Sequence, residues 1–192
     1  MNSEKRLVLA ITGATGMVYV TEFLKLLATA SVEVHGVISF SGRQVLDLEL
    51  GITVEELPGV ARWFAIDDFA APMSSGSAQY DGMVILPCTV GTLGGIAGGY
   101  SANLIHRAAD VSLKERRPLV MAVRETPLNG IHLKNMLSLH EAGAIICPPM
   151  PSFYQHPETI NDLAKNFAVR ICDQLKIEVA GAKRWQGIQD VK

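Results

Sequence analysis

The sequence predicts a single three-layer α/β domain, a parallel sheet between two layers of helices. Three observations carry this. Strand-like and helix-like segments alternate along the chain, the strand-like ones are apolar at nearly every position, and no repeat, charged linker or low-complexity stretch divides the 192 residues. Strands apolar on both faces need cover on both faces, and helical crossovers on a parallel sheet supply it. The fold class is therefore α/β, with one unit spanning residues 1–192 and a C-terminal tail from about residue 176.

The elements follow in order. Arg6 to Thr12 is a short apolar run that ends in the turn Gly13-Ala14-Thr15-Gly16. A helix is expected from about Met17 to Ala30, with Phe23, Leu24 and Leu27 on one face. Val32 to Ile38, rich in β-branched residues, is the second strand. Met83 to Cys88 is the third, leading into Thr89-Val90-Gly91-Thr92; Pro118 to Val123 and Ala144 to Cys147 are the fourth and fifth. Helices are expected near Ser101 to Arg117, Ile131 to Ala142 and Glu158 to Leu175. Right-handed crossovers place every strand-to-helix turn along one sheet edge, and ligands bind at that edge.

Composition narrows the function. The formal net charge of −2 offers no general attraction to nucleic acid. No apolar run reaches the roughly 18 residues that would suggest a membrane span. The polar start Met-Asn-Ser-Glu-Lys-Arg runs straight into a strand, without the apolar segment of a signal peptide. The 48% hydrophobic content is high, which points to buried strands and to subunit interfaces, hence a homo-oligomer. Three dispersed cysteines without Cys-x-x-Cys spacing fit reduced thiols in a cytoplasmic protein. The five histidines show no metal-ligand spacing, and Asp67-Asp68-Phe69-Ala70-Ala71 lacks the last acid of a magnesium-diphosphate site; no metal is expected.

The turns carry the chemistry. Gly13 and Gly16 flank a strand-to-helix turn where backbone can approach a phosphate. The pattern is not Gly-x-Gly-x-x-Gly, and the second strand ends at Ser39 without an acid to hold a ribose, which disfavours NAD and favours a mononucleotide such as FMN. Thr89-Val90-Gly91-Thr92 and Ser74-Ser75-Gly76-Ser77 add hydroxyl and glycine groups. Arg124-Glu125-Thr126-Pro127 follows the fourth strand and points a charged pair toward the crevice. Lys114 lies in a charged run that reads, by itself, as a solvated helix end. The stiff loop Pro148 to Tyr154 holds Tyr154, and Arg170 sits among apolar residues, as a charge with a buried acid or an anion for partner does.

Taken together these segments resemble the UbiX-type flavin prenyltransferases from about Arg6 through Gly187. The most specific stretch runs from Arg107-Ala108-Ala109-Asp110 through Lys114-Glu115-Arg116-Arg117-Pro118-Leu119 to Arg124-Glu125-Thr126-Pro127; Pro151 to Pro157 and Arg184-Trp185 extend it. The resemblance implies transfer of a dimethylallyl group from dimethylallyl monophosphate to reduced FMN, at N5 and C6. The subunit would be a single Rossmann-like (flavodoxin-like) flavin-binding domain, the prenylated FMN would serve a UbiD-type decarboxylase, and the assembly would be a homododecamer with active sites at subunit interfaces. It implies FMN contacts at Gly13, Ala14, Thr15, Ser39, Thr89, Val90, Gly91, Thr92 and Arg124. Donor contacts fall on Arg107, Lys114, Arg124, Tyr154 and Arg170, with Trp185 near the prenyl group. Thr15, Glu49 and Glu125 are the implied catalytic polar and acid/base groups. Thr15 departs from the family's usual serine; the hydroxyl remains, with fewer rotamers. The rival expectations are an FMN-dependent decarboxylase of the same fold, whose late Pro-x-Met-Asn element Pro149-Met150-Pro151-Ser152 does not supply, and a flavin-binding module without chemistry.

Overall fold

A computed structural model of the chain describes residues 5–185 and 187. Six strands, β1 (Arg6–Ile11), β2 (Glu33–Ile38), β3 (Arg62–Phe64), β4 (Gly82–Cys88), β5 (Leu119–Val123) and β6 (Ile145–Ile146), form one sheet in the order β3-β2-β1-β4-β5-β6. Every pairing is parallel. Of the doubly wound arrangements this is the Rossmann order. Six helices complete the layers: α1 (Met17–Thr29), α2 (Phe40–Leu50), α3 (Val90–Ala97), α4 (Leu104–Lys114), α5 (Gly130–Glu141) and α6 (Ile160–Gln174).

The two-residue period of a strand builds two cores from one sequence. In β1, Leu7, Leu9 and Ile11 face a cluster with Phe23, Leu24 and Leu27 of α1 and Phe167 and Ile171 of α6. Val8 and Ala10 face the other layer, with Leu93 of α3 and Leu104, Ile105 and Ala108 of α4. All of β4 is buried. Truncating a fully buried residue such as Phe23 to alanine costs about 3–5 kcal/mol.

The expected strands and helices are all present, with three additions. β3 is three residues long and half exposed, too short for a period to show. α2 buries only Gly42 and Leu46, so it carries no apolar stripe. α3 was legible only as a helix start at Thr89. α4 begins later than its apolar pattern implies, because Asn103 accepts a hydrogen bond from His106 N at 3.0 Å and caps it there. Past α6, Lys176 turns the chain into the tail at φ 55°. Among the described residues no helix is long and apolar enough to cross a membrane.

The chain leaves β1 toward β2 on one side and returns to β4 on the other, so the crevice opens between the C-terminal ends of β1 and β4. Thr12, 2% exposed, ties these ends together. Its Oγ1 donates to Pro87 O at 2.8 Å and accepts from Thr89 N at 2.9 Å.

Candidate functional site

Three chain segments meet around that crevice. The turn after β1 carries Gly13, Ala14 and Thr15; the start of α2 carries Ser39; the start of α3 carries Thr89 to Thr92. Ser39 Oγ caps α2 by accepting from Gly42 N at 3.0 Å. Thr89 Oγ1 caps α3 by accepting from Thr92 N at 3.2 Å, and donates to Thr92 Oγ1 at 3.0 Å. Two helix N-termini, rich in hydroxyls, thus follow β2 and β4 and flank the end of β1 between them, an arrangement suited to an anionic ligand.

Two glycines here have different reasons. A Cβ on Gly13 would lie 2.4 Å from Ser41 Cβ, so the fold itself requires glycine where the turn passes α2. A Cβ on Gly91 would meet nothing within 4 Å, and Gly91 lies in α3 with no positive φ to demand it. The space above Gly91 is open, which fits close approach by a ligand ring or ribityl chain.

The N-terminus of α1 is already engaged. Gly16 N donates to Glu49 Oε2 at 3.0 Å and Met17 N to the same oxygen at 2.8 Å, while Thr15 Oγ1 donates to Glu49 Oε1. Glu49, near the end of α2, therefore serves as the counter-charge to the α1 dipole, with Thr15 attached to it. Two N–H groups that the sequence offered to a phosphate are held by a carboxylate. Cys88 is close by, but burial pushes its thiol up to about 12, so it is no nucleophile at neutral pH.

Arg124 follows β5, with its backbone N–H on Cys88 O at 3.0 Å, and its side chain is exposed. Glu125 accepts from Thr126 N at 2.9 Å and is exposed as well. Tyr154, Arg170 and Trp185 line a second cavity of about 150 Å³, between the loop before α6, α6 itself and the tail. The Tyr154 and Trp185 rings meet edge to face, 5.6 Å between centroids. Arg170, which the sequence places among apolar neighbours, is 61% exposed because it lies on the outer face of α6, and it pairs with Asp173 at 2.7 Å. Its guanidinium also pulls the Cys147 thiol down, though burial outweighs it and leaves that thiol raised.

Arg107 and Lys114 form a third group on α4. Arg107 Nε donates to Ser74 O at 2.9 Å and Nη1 to Asp110 at 2.7 Å; Lys114 pairs with Glu115 beside Gly76. The Ser74–Ser77 loop thus meets α4 rather than the crevice. Lys114 ends α4 just before β5 begins, while Arg124 follows the end of β5. The two lie toward opposite edges of a sheet whose β4 is seven residues long, about 20 Å at ~3.3 Å per residue. No hydrogen bond or ion pair among the described residues joins the three groups.

Thr12, Asp173 and Arg184 escaped sequence reasoning. Thr12 looks like a strand residue, and its role needs β4 beside it. Asp173 and Arg184 are eleven residues apart across the end of a helix, without local spacing to betray a contact. Among the described residues no group of three His, Cys, Asp or Glu side chains is placed to hold a metal ion.

Known proteins extend this geometry. The Flavoprotein family model matches residues 1–190. A probable UbiX-like flavin prenyltransferase of Bacillus subtilis (strain 168) is 44% identical over 188 residues, 97% of this chain and 92% of its own. The flavin prenyltransferase UbiX of Methanocaldococcus jannaschii is 42% identical, covering 94% of this chain and 98% of that one. Among solved structures, AnUbiX, crystallised with FMN and dimethylallyl pyrophosphate, has a TM-score of 0.94 at 40% identity, covering 96% and 99%. The dodecameric FMN-dependent UbiX-like decarboxylase of Escherichia coli O157:H7 has a TM-score of 0.90 at 41% identity, covering 95% and 100%.

Proposed function

The chain belongs to the UbiX-like flavin prenyltransferase family, and on that premise we propose that it transfers a dimethylallyl group from dimethylallyl monophosphate to reduced FMN, making prenylated FMN for a UbiD-type decarboxylase. The carrying observation is the open space over Gly91, between two hydroxyl-capped helix starts, where no packing within the chain calls for glycine. Gly13, Ala14, Thr15, Ser39, Thr89 to Thr92 and Arg124 hold the flavin. When bound, reduced FMN supplies N5, which displaces phosphate from C1 of the donor, and C6, which closes the second carbon bond.

The protein's own part is charge, orientation and dryness. Arg107, Lys114, Arg124, Tyr154 and Arg170 match the charge that builds on the departing phosphate. Charge-assisted hydrogen bonds contribute about 1.5–3 kcal/mol each, so several hold the dianion without a metal ion. Tyr154 and Trp185 offer aromatic surface to an allylic carbon that carries positive charge, and keep water from it. Thr15, tied to Glu49, orients a polar hydrogen near the flavin. Ring closure needs a proton delivered to C2 of the prenyl chain, which opens its double bond, and the C6 proton removed as C6 bonds to the dimethyl-bearing carbon; Glu125, Glu49 or the freed phosphate would carry that proton from C6.

One chain supplies Lys114 from the sheet edge opposite the crevice, which supports a site completed by another copy in a homododecamer. The relative crystallised with the pyrophosphate ester makes the donor a direct comparison. Anaerobic protein, reduced FMN and either ester are mixed, and the flavin is weighed by mass spectrometry. Gain of a five-carbon unit, unaffected by chelator and faster with the monophosphate, is expected. An unaltered flavin together with decarboxylation of an aromatic acid by the purified protein would establish the decarboxylase instead.

A further inference from the structure

Asp173 lies on α6 with its side chain 17% exposed, and one of its oxygens, Oδ2, accepts from two guanidinium groups. Arg170 Nη1, from the same helix, is at 2.7 Å; Arg184 Nη1, from the tail, is at 2.6 Å. Both arginines remain substantially exposed, at 61% and 46%. Each guanidinium has five N–H donors, and most are left over after one shared carboxylate. Two positive charges against one negative leave the cluster cationic. Its two arginines line the same small cavity as Tyr154, Lys183 and Trp185, while Asp173 faces a neighbouring one.

A structural explanation of this cluster is weak. Exposed ion pairs contribute little to stability, and the tail has other ties, from Gln155 Nε2 to Lys183 O at 3.3 Å and from Trp185 to Tyr154. What the geometry does provide is two guanidinium groups that each give one N–H to the same carboxylate oxygen, with the rest of each planar fork, the part suited to phosphate, left unused.

We propose that Arg184 is a second arginine of the donor-phosphate site, and that Asp173 is the internal counter-ion that the donor's phosphoryl group replaces. The proposal rests on reading Arg170 and Tyr154 as donor ligands and adds to them a residue and an exchange. Before donor arrives, Asp173 neutralises part of the cluster and fixes the tail on α6. Once phosphate takes over the guanidinium donors, the tail that carries Trp185 is held by the donor itself. Phosphate capture and placement of the aromatic wall become one event. Asp173 then acts as a positioning residue that opposes the anion, so its loss and the loss of Arg184 have opposite signs.

Inorganic phosphate titrated calorimetrically into the full-length protein reads this without any prenyl chemistry. Arg184→Ala is expected to weaken phosphate about tenfold, the effect of one charge-assisted hydrogen bond; Arg184→Lys recovers part of that, and Asp173→Asn tightens binding. Thermal melting of each variant verifies that it is folded. An unchanged affinity in Arg184→Ala overturns the proposal, as does Asp173→Asn weakening phosphate as much as Arg184→Ala does. Arg170→Ala separates the two levels. If it leaves phosphate binding intact, the donor-site reading itself fails; if it weakens binding while Arg184→Ala does not, only the role of Arg184 is lost.

Discussion

The crevice between β1 and β4 and the cationic groups on α4 and α6 are built in opposite ways. In the crevice, side chains are fixed to backbone: Thr12 to Pro87 and Thr89, Ser39 to Gly42, Glu49 to Gly16 and Met17. Each bond joins elements that the sheet already holds in register. The cationic residues are long, between 34% and 61% exposed, and restrained by neighbouring acids, as with Lys114 and Glu115 or Arg170 and Asp173. The first region is held together within one chain, as the proposed flavin site requires. The second is a set of charges whose proposed role needs an anion and, for Lys114, another copy.

The largest effect that tests this contrast is on turnover. Lys114→Ala and Arg170→Ala should each lower kcat/KM for the donor about 100-fold, from the loss of one or two charge-assisted hydrogen bonds, and leave the FMN dissociation constant unchanged. Co-expression of the two variants should restore activity that neither has alone, since a mixed assembly contains sites with both cations intact. Equal losses in flavin and donor binding would erase the distinction between the regions.

Next comes a pair of glycine substitutions. Gly91→Val should weaken FMN at least tenfold, about 1.4 kcal/mol, while the urea midpoint without flavin shifts little. Gly13→Ala should do the reverse, costing about 1–3 kcal/mol of folding stability because the new methyl meets Ser41. Glu49→Ala should cost roughly 1 kcal/mol by uncapping α1, and Glu49→Gln less, since an amide oxygen still accepts but the charge facing the dipole is gone. Urea denaturation measures the stability of all four variants, and an FMN titration measures the binding loss in Gly91→Val.

The smallest expected effect lies away from both regions. His35 bonds Tyr80 Oη at 2.7 Å and Glu33 at 2.9 Å, with Arg6 and Arg62 also acting on it; burial holds its pKa below 6.5 despite Glu33. Burial lowers His106 in the same direction. A depressed histidine stabilises the fold fully above its unfolded pKa, and that contribution is lost as pH falls through the folded value. The melting temperature should therefore drop between pH 7 and pH 5, with a shallower slope in His35→Gln.

Much of this was legible before any coordinates. Buried parallel strands announce themselves by continuous apolar runs, and the sheet edge that gathers Gly13, Ser39, Thr89 and Arg124 follows from crossover handedness alone. α2 was hidden because a helix lying over the sheet with two buried residues has almost no pattern to read. Glu49 could be named only through family resemblance, since the contact with Thr15 spans 34 residues of sequence. Lys114 illustrates the opposite limit: its local context reads as a solvated helix end, and within one chain that is where it lies. Its proposed role depends on a neighbour that no intrachain pattern encodes.

The length of β4 has a kinetic corollary. If Lys114 serves the flavin site as proposed, seven residues of strand stand between it and the crevice, and no rotamer change in a single copy spans them. Output should then follow the concentration of assembled particles rather than of polypeptide. Diluted below its dissociation point, the protein would store flavin and leave the allylic ester unspent.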